Sequence, residues 1–171
     1  MLVQAVLIDT VSIQKYVFES NKLKENLGAS YLIQDMYEYH LQKTVQSIFP
    51  SGKFDFNAWR DSPDKSLIEE EGVGFEIGYI GGGKGLLFFK DKNNAEEFIK
   101  EWTRKLLIEA PGVITAIASD TFDIDHFKEE NRKLFNILQE NKNRCVPQTV
   151  IPRHGITAEC SRSGNSMDIW G

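Results

Sequence analysis

Cysteine and histidine are scarce in this 171-residue chain, and what remains of them is dispersed. Cys145 and Cys160 are the only cysteines, and their separation matches neither a CxxC pair nor a disulfide framework, so reduced thiols are expected. His40, His126 and His154 show no HxxxH or HxxE spacing, which leaves a zinc site without support. No apolar run approaches the roughly 18 to 20 residues a bilayer span needs. The opening MLVQAVLID has neither a basic start nor a small-residue cleavage site, so a cytoplasmic chain making no membrane contact is expected. Positive charge is also in deficit. A formal net charge of -5 argues against broad nucleic-acid binding, which depends on many Lys or Arg contacts to phosphate. There is no internal repeat and no low-complexity tract.

What is present is an alternation of strand-like and helix-like segments. Residues 2–8 form a nearly continuous apolar run ending at Asp9, which suits a central strand buried on both faces. Ile33, Tyr37, Leu41, Val45 and Ile48 follow at helical spacing until Pro50, predicting a long helix interrupted near Gly28. Residues 50–72, with two prolines and three consecutive glutamates, read as a surface loop. Residues 75–79 and 86–89 flank a glycine-rich turn and predict a hairpin. A helix capped by Asn94 follows, with Ala95, Phe98, Ile99, Trp102 and Leu106 on one side, ending before Pro111-Gly112. Residues 113–118 predict a fourth strand, and a third helix starts at Asp123 and runs through Phe127, Leu134 and Leu138. The order βαββαβ predicts an α+β, ferredoxin-like domain over residues 1–142, an antiparallel sheet with helices on one face. Residues 143–171 read as an appended strand, around residues 154–159, and a loose tail.

The segment with chemical potential is Ile80-Gly81-Gly82-Gly83-Lys84-Gly85. Consecutive glycines permit positive φ and close approach of a phosphate or another chain, with Lys84 as a counter-charge. Neither standard phosphate fingerprint fits, because GxGxxG must open a helix and GxxxxGK[ST] requires a hydroxyl after the lysine. A plain hairpin tip is the simpler structural reading. In βαββαβ topology the end of the first strand lies beside this turn, which places Asp9 near it. Asp9 has its own structural alternative, as a cap for a helix beginning near Ser12. Asp120, Asp123 and Asp125 lack the glycine and terminal glutamate of an EF-hand loop and read as a carboxylate-rich helix start.

The stretch Ile8-Asp9-Thr10-Val11-Ser12-Ile13-Gln14-Lys15-Tyr16-Val17-Phe18, with Leu27-Gly28-Ala29-Ser30-Tyr31-Leu32, the glycine hairpin and Gly155-Ile156-Thr157-Ala158-Glu159-Cys160, resembles the palm domain in the large subunit of type III CRISPR effector complexes. The resemblance implies a palm related to polymerases and GGDEF-type cyclases, the catalytic version of which makes cyclic oligoadenylates from ATP with two divalent metals. Such metals need hard oxygen ligands, one carboxylate from the first strand and an acidic pair from the hairpin. Asp9 matches the strand carboxylate, but Gly83 and Lys84 stand where the acidic pair would be. That departure fits the non-catalytic palm of the same subunits.

The expected function is therefore a nucleotide-binding or palm-pairing module of an antiviral CRISPR-type system without a complete two-metal site. Asp9, Ser12, Ser30, Gly81, Gly82, Gly83 and Lys84 are the expected nucleotide-binding residues, with ATP or another nucleotide as ligand. A second palm, a second copy of the chain, or CRISPR effector subunits are the expected partners. One alternative is an active nucleotidyl cyclase in which Asp9, with Asp120, holds Mg²⁺. Another is an RNA-binding ferredoxin-like Cas module, which the acidic net charge disfavours.

Overall fold

A computed structural model describes residues 1–20, 22–50, 68–69, 71–144, 158–159 and 166–167. Strand β1 (Leu2–Val11) leads into a short helix α1 (Ile13–Val17). Helix α2 (Leu23–Asp35) continues through one π-helical turn (Met36–His40) into α3 (Leu41–Ile48). The hairpin β2 (Phe75–Gly81) and β3 (Lys84–Phe89) is followed by α4 (Lys92–Glu109), β4 (Ile114–Asp123) and a 3-10 turn (Ile124–His126). Helix α5 (Phe127–Arg144) comes next, and a separate two-stranded pairing joins β5 (Ala158–Glu159) to β6 (Ser166–Met167).

The main sheet has the order β2-β3-β1-β4, with every neighbouring pair antiparallel. This is the expected split-βαβ arrangement, with the first strand in the centre. Side chains alternate across a strand, so β1 contributes to two cores. Val6 and Ile8 face α2, α3 and α4, where they meet Ile33, Tyr37, Leu41, Phe98 and Trp102. Val3, Ala5 and Leu7 face the other way, against Leu134 and Leu138 of α5 and against Ile68. The two crossover connections lie on one face as the topology requires, while α5 covers the opposite face. Each fully buried aliphatic or aromatic side chain contributes on the order of 1.5 to 3 kcal/mol through burial, which is why both faces acquire helices.

Several local expectations need correction. The first helical region does not break at Gly28, which lies within α2; a Cβ there would meet nothing within 4 Å. The interruption falls between α1 and α2, and a second irregularity is the π turn at Met36–His40. Asp91, not Asn94, caps α4, accepting a hydrogen bond from the Asn93 N–H at 2.6 Å. Asp91 precedes a run without any earlier helix breaker, so either residue met the compositional rule for a cap. Most of the expected loop at 50–72 lies outside the described residues, but Ile68 is fully buried beneath α5's face of the sheet. Of the expected strand near residues 154–159, the described part is Ala158–Glu159.

Candidate functional site

Gly82 and Gly83 form the two-residue connection of the β2–β3 hairpin, with φ of 58° and 73°. Positive φ at both central positions is the requirement of a type I′ turn, and glycine meets it without a Cβ penalty. Gly83 has a second reason to be glycine. A Cβ there would lie 2.8 Å from Ile13 Cδ1 and 3.2 Å from Thr10 Oγ1. The turn is held to the end of β1 by the Thr10 N–H, which donates to the Gly83 carbonyl at 2.8 Å. Between them, the hairpin tip, α1, α2 and the π turn enclose a cleft of about 290 Å³.

The cleft has an aliphatic wall from Ile13, Val17, Ile33 and Ile80, a backbone edge from Gly81, Gly82 and Gly83, and a polar rim from Ser30, Gln34 and Glu38. Gln34 Nε2 donates to Glu38 Oε2 at 3.3 Å along that rim. Tyr37 completes the lining, and its hydroxyl shares a 2.9 Å hydrogen bond with Thr10 Oγ1. Burial raises the Tyr37 phenol well above its ordinary pKa, so it stays neutral. The π turn sets Tyr37 and Glu38 at the cleft; inserted π turns of this kind occur frequently at functional sites.

The expected site residues divide between the two faces of the sheet. Ser30 and Gly81 to Gly83 line the cleft. Asp9 does not, although it is directly opposite Lys84 in the β1–β3 register and is therefore close to the turn, as the topology demands. Because Thr10 points to the α2 face, where it meets Tyr37, its neighbour Asp9 points to the α5 face. There it is buried and pairs with Lys142 of α5, and Lys84 Nζ lies 3.8 Å from its Oδ2. Lys84 is thus on the α5 side as well. Ser12 lies outside the cleft, exposed, as the N-cap of α1 in a left-handed conformation with φ of 55°. Asp9 caps no helix. Asp120 is on β4, opposite Ala5 and remote from Asp9 in the register, and pairs with Lys133 at 2.8 Å.

Asp9 as placed does not fit a divalent metal, since two ammonium groups already compete for its carboxylate. Among the described residues, no group of three or more His, Cys, Asp or Glu could hold an ion. Ile13, Gln34, Tyr37 and Glu38 were missed by sequence reasoning. The helical period marked Tyr37 as a core position, but not the π turn that brings its hydroxyl to Thr10.

The sheet order and the glycine hairpin against β1 give a ferredoxin-like, palm-like fold. Its particular likeness is to Csm1, the large subunit of type III CRISPR complexes. Csm1 of T. onnurineus matches over 98% of this chain and 23% of its own, with a TM-score of 0.64 and 11% identity. A Csm1-Csm4 cassette in complex with cA4 matches over 84% of this chain and 20% of its own, with a TM-score of 0.64 and 12% identity. A microbial GGDEF domain, studied for its interaction with cyclic di-GMP, matches over 84% of this chain and 74% of its own at a TM-score of 0.51 and 14% identity. The chain spans about a fifth of the Csm1 chains it resembles, and at these identities the likeness is one of fold. No protein-family model matches the sequence, and no curated protein matches it.

Proposed function

We propose that this chain is a palm-like nucleotide-binding or palm-pairing module of a CRISPR-type defence system, without a complete two-metal site of its own. The observation that carries the reading is the cleft between the glycine hairpin and α2. It offers aliphatic walls for the faces of a base, polar groups on Ser30, Gln34 and Glu38 for its edge, and glycine backbone for close approach of phosphate. The complexes of similar cassettes with cA4 and with ATP support a nucleotide as the ligand class, with ATP as the first candidate. Lys84, half exposed at the foot of the turn, is the counter-charge for a phosphate that extends around the tip. Pairing with a second palm, a second copy or another effector subunit is supported by Leu23, Leu27 and Tyr31. These exposed side chains follow one another at four-residue spacing along α2, next to Ser30.

Calorimetry with ATP, in EDTA and in excess Mg²⁺, tests the reading. Binding is expected in both conditions without turnover. Ser30→Trp, which fills the cleft from an exposed helical position, is expected to abolish binding, and Lys84→Ala to weaken it by about 1.5 to 3 kcal/mol, the scale of hydrogen bonds to charged groups. Strict dependence on Mg²⁺ together with conversion of ATP to a cyclic or linear product would favour the cyclase alternative. An absence of any binding would remove the nucleotide assignment and leave pairing, which light scattering reads directly.

A further inference from the structure

Helix α5 is joined to the sheet by polar contacts at two levels. In its first half, Lys133 pairs with Asp120; the two side chains are 54% and 35% exposed. Near its end, Asn141 Nδ2 donates to the Ile117 carbonyl at 2.8 Å, and Lys142 pairs with Asp9; here the exposures are 22% and 8%. Leu134 and Leu138 fill the space between. The two ion pairs are not equivalent. An exposed pair is solvated in either state and contributes little, whereas a buried carboxylate deprived of its partner keeps the cost of desolvation without the compensation.

The charge around Asp9 is also unbalanced. Two ammonium groups, on Lys84 and Lys142, face one carboxylate, which leaves a surplus of one positive charge. A divalent cation approaching Asp9 would meet that surplus and have to displace Lys142. We propose that Lys142 is a built-in cation in the place an ion would need at Asp9, and that this pair latches the last turn of α5 to the glycine-hairpin end of the sheet. The inference stands on the placement of Lys142 and is independent of whether the cleft binds nucleotide.

The test is a double-mutant cycle on the whole chain, followed by urea denaturation. Asp9→Asn and Lys142→Met are each expected to lower the unfolding midpoint, the combined variant to lose clearly less than the sum of the two, and Lys142→Arg to keep most of the midpoint. Lys133→Met, at the exposed pair, is expected to change it little. Additive losses, or single variants no weaker than Lys133→Met, would overturn the latch. Hydrogen exchange in Lys142→Met, measured under conditions where it remains folded, is expected to rise in residues 138–144 of α5 and to stay unchanged in α4; a uniform rise or none at all would count against it. Addition of Mn²⁺ to the wild-type chain is expected to leave the amide resonances of Asp9 and Lys84 sharp. Selective paramagnetic broadening there would show an ion at Asp9 and refute the built-in cation.

Discussion

On one face of the sheet the end of β1 presents Thr10, a neutral side chain that meets Tyr37 beside a cleft; on the other it presents Asp9, a charge sealed between two lysines and a helix. The residues are adjacent in the chain, and the strand pleat alone separates them. The first face is open at the hairpin tip, with room for a ligand. The second is closed by α5. A glycine hairpin next to a strand carboxylate therefore need not make one site: in this chain the turn and the carboxylate serve different faces, and the carboxylate pairs with lysines.

The comparison can be broken most severely through the cores. Trp102→Ala on the cleft face is expected to cost about 3 to 5 kcal/mol, and Leu138→Ala on the α5 face about 2 to 5 kcal/mol, in chemical denaturation. If the faces are separate, Leu138→Ala should leave the near-ultraviolet signal of the Tyr37 and Trp102 rings, whose centroids are 5.6 Å apart, as it is in the wild type. A changed signal in Leu138→Ala would show that the two layers are coupled.

A smaller effect sharpens the cleft side. Gly83→Ala combines a positive φ with a Cβ against Ile13 and Thr10, and is expected to cost about 2 to 3 kcal/mol; Gly82→Ala meets open space and bears only the left-handed penalty, about 1 to 2 kcal/mol. Equal losses for the two variants, by urea denaturation, would mean that contact with β1 does not constrain the turn.

The smallest effect is expected beyond both faces, where Asp123 and His126 pair on the surface at 2.9 Å. The hydrogen bond from His126 is the main cause holding the Asp123 carboxyl at about 2, below its ordinary 3.8, and Asp123 in turn raises His126 above 6.5. A lowered carboxyl contributes stability above its unfolded value and loses it as pH falls toward 2. A raised histidine contributes below 6.5 and loses its share as pH rises through the folded value. The difference in melting temperature between wild type and His126→Gln should thus be largest between about pH 4 and 6.5 and shrink on both sides. A difference that persists unchanged at pH 9 would show that His126 acts through packing instead.

Much of this architecture was legible because period and punctuation speak plainly in it. The apolar run ending at Asp9, the glycines between two β-rich runs and the prolines after each helical stretch located the four strands, and the sheet order followed from handedness rules. The proximity of Asp9 to the turn was legible for the same reason. The face that Asp9 occupies was not, since it depends on whether Asp9 or Thr10 points toward α2, and a one-residue change of phase exchanges them. Lys142 was illegible for a different reason: it lies among other charged and amide residues in a helix with a solvated side, and only the docking angle of α5 selects it. The π turn has no compositional mark in Met36–His40, so the position of Tyr37 in the cleft had to come from the structure.

The strand order also carries a kinetic consequence. β1 is central, yet both of its neighbours, β3 and β4, come later in the chain, and the partner of Asp9 on α5 lies 133 positions away. Each of these contacts requires closure of a long loop before it returns any stabilisation. During synthesis the β2–β3 hairpin and the helices can form locally as they emerge, while the apolar β1 waits for β3 on one edge and β4 on the other. The first strand of this sheet to be made is thus among the last to be completed, and until β4 pairs with it, it has an open edge that a neighbouring chain can occupy.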